Sequence, residues 1–140
     1  MLPPLKQVII GLALLAAGCG DDSCPDGETI SVTTGTTDLV SLTYVSAPWD
    51  GPLNEFSAGS VVTFVHNLGV APDLVSTYVS FRPDGTASSE VTENTGNQGE
   101  IECIDENVIR IRNNTCSRFY IRVVAARLGD TGLQSQESCE

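Results

Sequence analysis

A chain of 140 residues with 18 acidic against 7 basic side chains, and a formal net charge of −11, has room for one compact domain and repels a phosphate backbone. Nucleic acid is therefore not an expected partner. One histidine, with no Gly-x-Ser-x-Gly elbow, His-Glu-x-x-His pair, Walker loop or dinucleotide fingerprint, argues against an enzyme, so no catalytic residue and no cofactor is assigned.

Lys6, the only lysine, precedes an apolar run from Val8 to Ala17 that closes with Leu15-Ala16-Ala17-Gly18-Cys19-Gly20-Asp21-Asp22. A charged start, a short apolar middle and small residues at the end make residues 1–18 a signal helix, too short to remain as a membrane span. Cys19 in this setting resembles the acceptor cysteine of bacterial lipoproteins. The resemblance implies diacylglyceryl and palmitate attachment at Cys19, a membrane anchor and a mature chain that begins there. Leu15 stands one step earlier than the leucine that family prefers, and Ala16-Ala17-Gly18 also fits the general signal peptidase. Gly20, in place of an aspartate after Cys19, lacks the inner-membrane retention signal, which points to the outer membrane, on its periplasmic or surface face.

Residues 19–27 are small, acidic and turn-forming, a tether that holds a domain at residues 28–128 close to the lipid. Residues 129–140 form a polar tail. Five cysteines are odd in number for an exported protein, and acylation of Cys19 leaves an even set, Cys24, Cys103, Cys116 and Cys139. These suit two disulfides in three possible pairings. Cys103 and Cys116 lie close in sequence and are the favoured pair, leaving Cys24 and Cys139 to join the domain's two ends. No Cys-x-x-Cys occurs and His66 is remote from every cysteine, so no metal site is expected.

Apolar residues in the domain alternate with a period near two and are rich in Val, Ile, Thr and aromatics, with no capped helical stripe. An all-β antiparallel sandwich of about seven or eight short strands is expected. In chain order the strands fall near Thr29 to Thr34, Leu39 to Ser46, Ser60 to His66, Leu74 to Arg82, Ala87 to Thr92, Glu100 to Ile104, Asn107 to Arg112 and Arg118 to Ala126.

Between the second and third strands, Ala47-Pro48-Trp49-Asp50-Gly51-Pro52 is a loop of chain breakers around the only tryptophan. An exposed indole stacks on pyranose C–H groups while Asp50 or Asn54 bonds hydroxyls, so these three residues are a candidate sugar platform. The structural alternative is an indole folded over the core as a lid. Val61-Val62-Thr63-Phe64-Val65 is apolar on both faces, which places it centrally in a sheet, its second face covered by loops or by another copy in a homo-oligomer.

Val65-His66-Asn67-Leu68-Gly69-Val70-Ala71-Pro72-Asp73-Leu74-Val75 then links two strong strands. Gly69 supplies an unusual backbone conformation, Pro72 stiffens the loop and Leu68 plugs the core, while a lone strand-end His66 fits a hydrogen-bonded packing role. A strand ending His-Asn-Leu-Gly followed by Pro-Asp-Leu-Val resembles the β-sandwich modules at phage tail-fibre tips and in related exported proteins, some similar to H-type lectins. The resemblance covers about Phe56 to Phe81 and implies glycan binding and an oligomer.

In the fourth strand Val75, Thr77, Val79 and Phe81 are expected to face inward. In the last strand Phe119, Ile121, Val123 and Ala125 do the same. Arg110 and Arg112 share one strand face, and Arg118, Tyr120 and Arg122 another. Pairing of these strands through Asn113 to Thr115 gives a basic-aromatic patch for an anionic ligand, or else a solvated face balanced by Glu90, Glu93, Glu100 and Glu102. Acidic residues at Asp105-Glu106-Asn107 and Glu90 to Asn94 do not match a calcium loop. The expected function is a lipid-anchored envelope protein displaying a glycan- or envelope-binding module. The alternative is a structural or assembly lipoprotein acting by protein–protein contact.

Overall fold

The computed structural model describes residues 29–85, 91–96, 98–129 and 139. The expected signal helix 1–18, Cys19, the tether 19–27, Cys24, residues 87–90 of the fifth expected strand and nearly all of the tail lie outside these residues.

The described residues form ten strands: β1 (Thr29–Thr34), β2 (Thr36–Asp38), β3 (Thr43–Val45), β4 (Asn54–Phe56), β5 (Val61–Val65), β6 (Leu74–Ser80), β7 (Thr92–Glu93), β8 (Gly99–Ile104), β9 (Val108–Asn113) and β10 (Phe119–Ala126). One sheet runs β1-β5-β9-β8, the other β2-β3-β10-β6-β7, with β4 also on β10. The domain is all-β, and its two sheets are consistent with a β-sandwich. Among the described residues every pairing is antiparallel except β1 with β5.

Strict alternation builds the core. In β9, Ile109, Ile111 and Asn113 are buried while Val108, Arg110 and Arg112 are half-buried, the period-two signature of a strand with one packed face. Phe119, Ile121, Val123 and Ala125 of β10 are all buried, as their spacing predicts, and pack with Tyr44, Phe56, Phe64 and Val79. The doubly apolar β5 lies between β1 and β9, in the interior of its sheet.

Departures from the expected strands have local causes. The strand expected at Leu39 to Ser46 is shortened because Asp38 Oδ1 accepts bonds from the N–H groups of Val40 (2.8 Å) and Ser41 (3.3 Å), folding 39–42 into a turn with Leu42 at φ 50°. This side chain competes with the ladder for the backbone. Strand β6 stops at Ser80, whose Oγ accepts the Arg82 N–H at 3.0 Å, so Phe81 points out of the core at 72% exposure. Its ring rests 4.9 Å from that of Phe119.

Two of the junctions between the sheets each turn on a single residue. Gly35 separates β1 from β2, and a Cβ there would strike the Val45 carbonyl and the Tyr44 ring, so only glycine permits the crossing. The second junction is buried Asn113. Its Nδ2 donates to the carbonyls of Phe56 (3.0 Å), Ser57 (2.9 Å) and Ser117 (2.9 Å), and its Oδ1 accepts from the N–H (2.9 Å) and hydroxyl (2.8 Å) of Thr115. This corner sends β10 into the sheet opposite β9.

The disulfide pairing expected from sequence proximity is corrected. Cys103 bonds Cys139, with the Cα atoms 5.5 Å apart. Cys103 lies opposite Arg110 in the β8–β9 ladder, whereas Cys116 lies beyond Asn113, which pairs with Gly99. At about 3.3 Å of rise per residue the two thiols stand well past the reach of a disulfide. Cys116 is disulfide-bonded in its own right, so the Cys103–Cys116 expectation fails on both partners.

Candidate functional site

Strands β3 and β4 pair with opposite stretches of one neighbour, Thr43–Val45 with Val124–Ala126 and Asn54–Phe56 with Phe119–Ile121. They are two halves of an interrupted strand. The interruption is the breaker-rich loop foreseen around Trp49, and it leaves the sheet opposite Arg122. Gly51 N–H donates to the Pro48 carbonyl at 3.3 Å, a four-residue turn with Trp49 and Asp50 at its two central positions. Both are therefore exposed at the tip. Leu53 N–H donates to the Pro83 carbonyl at 2.8 Å and returns the chain to the sheet.

Arg122 fills the gap. Only 1% of it is exposed, although it sits on the outer face of β10. Its Nε donates to the Ala47 carbonyl at 3.0 Å, and Nη2 donates to the carbonyls of Pro48 and Gly85, the latter at 3.5 Å. Side-chain donors thus replace the ladder bonds that the interruption removes. Burial pulls its pKa down, offset in part by Asp50 and Tyr78, and the guanidinium remains charged.

Trp49 closes over this cation, with the Arg122 Cζ 4.8 Å from the ring centroid. Tyr78, registered directly opposite Arg122 on β6, meets the indole edge-on at 5.4 Å and 72°. Trp49 nevertheless remains 57% exposed. An aromatic plate is thus fixed by a cation on one side and a ring at its edge while presenting most of its surface to solvent. It lies on the outer face of its sheet, not as a lid on the core.

Other expected members of the site are placed elsewhere. Asn54 pairs with Ile121, and directly opposite residues share a face, so it belongs to the core-facing side with Ile121 and Phe56. It does not stand beside Asp50. The basic-aromatic patch is not assembled, because β9 and β10 lie in different sheets. Arg110 donates to the Cys139 carbonyl at 3.2 Å, and Arg112 pairs with Glu102 at 2.6 Å. Arg118 pairs with Glu55 at 3.5 Å. Tyr120 shares the outer face with Arg122, half-buried between Glu55 and Ser80. Tyr78 was missing from the expected site, and only knowledge of the β6–β10 register links it to Arg122.

His66 is fully buried. Its Nδ1 accepts the Leu68 N–H at 3.1 Å, so the ring proton lies on Nε2, which donates to the Asp105 carbonyl at 3.1 Å. Burial lowers its pKa, against opposing pulls from Asp105 and Val108. Gly69 (φ 71°) turns the loop and Leu68 plugs the core, so packing accounts for this motif as the residues predict. Asp105 Oδ1 accepts the N–H groups of Asn107 (2.8 Å) and Val108 (2.7 Å), capping the β8–β9 turn. Among the described residues no group of three or more His, Cys, Asp or Glu side chains is arranged to hold a metal ion. No family model, curated protein or solved structure matches this chain.

Proposed function

We propose that this protein is a lipid-anchored component of a bacterial envelope, held at the outer membrane through acylated Cys19, whose β-sandwich binds glycan on the Trp49 plate. The observation that carries the binding reading is the fixed yet 57% exposed indole. An apolar ring held in place before binding loses little conformational entropy when a sugar face stacks on it. Cysteine parity supports the anchor. With Cys103 bonded to Cys139 and Cys116 disulfide-bonded, acylation at Cys19 leaves Cys24 as the partner of Cys116, and no thiol remains free.

A glycan array probed with wild type and Trp49→Ala tests the binding reading. Wild type is expected to retain at least one pyranoside that the variant loses, and equal retention by both would overturn it. In parallel, labelled palmitate should enter the wild-type chain and not Cys19→Ser.

The assembly reading draws on a different place. Leu39, Val40 (96% exposed) and Leu128 are solvent-facing, and the Arg127 N–H to Leu42 carbonyl bond (2.9 Å) brings their segments together at one end of the domain. A self-associating wild type that Val40→Asp renders monomeric in sedimentation, with a blank array, selects that reading.

A further inference from the structure

Resting on the glycan reading of the Trp49 plate, we infer that the site selects uncharged or amino-bearing pyranosides and rejects those that carry a carboxylate. Arg122, the cation that the described residues place at the plate, cannot receive an anion. Arg122 is 1% exposed, capped by the indole, and its Nε and Nη2 are directed at the carbonyls of Ala47, Pro48 and Gly85. The bidentate fork by which arginine recognises a carboxylate is thereby withdrawn from solvent.

Two carboxylates share this part of the outer face. Asp50 is the next residue of the same turn, and its charge acts on Arg122. Glu93 lies in register opposite Tyr78 on β7 and is exposed, which extends the row Arg122, Tyr78, Glu93 across the outer face of the sheet. Just before β10 and just past β6 of the same sheet, Arg118 and Arg82 already face carboxylates, Arg118 at Glu55 (3.5 Å) and Arg82 at Asp84 (3.8 Å). The carboxylates of Asp50 and Glu93 accept hydrogen bonds and cannot donate them. They complement hydroxyl, acetamido N–H and ammonium groups, while a uronate meets like charge with no compensating cation. The net charge of −11 adds long-range repulsion of the same sign.

Trp49 is the only tryptophan, so its fluorescence reports this site directly in the full chain. The titrants are β-1,4-linked oligomers of glucose, glucosamine and glucuronic acid, which share ring configuration and linkage and differ in the charged group. Glucose and glucosamine oligomers are expected to change the emission at concentrations at least about tenfold below any response to the glucuronic acid oligomer, a difference of about 1.4 kcal/mol. Asp50→Asn combined with Glu93→Gln should narrow that gap by strengthening the response to the glucuronic acid oligomer relative to the other two. Equal or tighter binding of the glucuronic acid oligomer would overturn the selectivity while leaving the plate as a sugar site. Silence towards all three removes the stacking reading itself.

Discussion

His66 is held neutral by its neighbours. Protonation would set an N–H against the Leu68 N–H that Nδ1 now accepts, and burial adds to that cost. The folded-state pKa therefore lies below the 6.5 of the free side chain. The unfolded chain takes up the proton first, so the stability tied to the neutral ring is complete above about pH 6.5 and drains as pH falls towards the folded value. The Asp105 carboxyl is held below its ordinary value. Desolvation there works upward, but the N–H groups of Asn107, Val108 and Cys139 outweigh it. Between about pH 6.5 and 5.5, the unfolding free energy of wild type from denaturant titrations should decline by up to about 1.4 kcal/mol per pH unit, and His66→Gln should flatten that slope.

At the level of elements, the interrupted β3–β4 strand depends on one side chain. Arg122→Met leaves the carbonyls of Ala47, Pro48 and Gly85 without their donor and should cost about 3 kcal/mol or more in equilibrium unfolding. Arg122→Lys should not restore it, since a single ammonium cannot span the carbonyls that the planar fork reaches. In both variants the emission of Trp49 should shift to the red as the ring loses its seat. Alternation in β9 and β10, the central position of β5 and the breaker loop around Trp49 were legible in the chain, because each depends on local pattern. The buried arginine was not. Arg122 falls on the polar face of its strand and reads as solvated, and nothing local reveals that the neighbouring strand breaks opposite it. The same limit hid the corner at Asn113, where a residue typical of surface turns meets the carbonyls of the distant pair Phe56 and Ser57 as well as that of nearby Ser117.

For the molecule as a whole, the Cys103–Cys139 bond fixes residue 139 on β8, and the sequence separation of 36 is long enough to matter. Chain entropy assigns it about 4 kcal/mol. Cys103→Ser with Cys139→Ser should lower the unfolding free energy by up to that amount, and a non-reducing peptide map should recover the 103–139 link in wild type. Proximity in sequence misled the pairing because a hairpin's two arms diverge from their turn: Cys103 lies near the turn and Cys116 beyond the far end.

The parallel β1–β5 ladder, set against antiparallel pairings elsewhere among the described residues, also has a mechanical meaning. Thr29 pairs with Val61 and Thr34 with Val65, so β1 runs alongside β5 and enters the domain from the end where the Asn113 corner lies. Tension drawn along that strand from its amino-terminal side loads the β1–β5 bonds together in shear instead of peeling them one at a time. A domain moored from that side and dragged by a captured polymer would resist the pull first at the seam between β1 and β5.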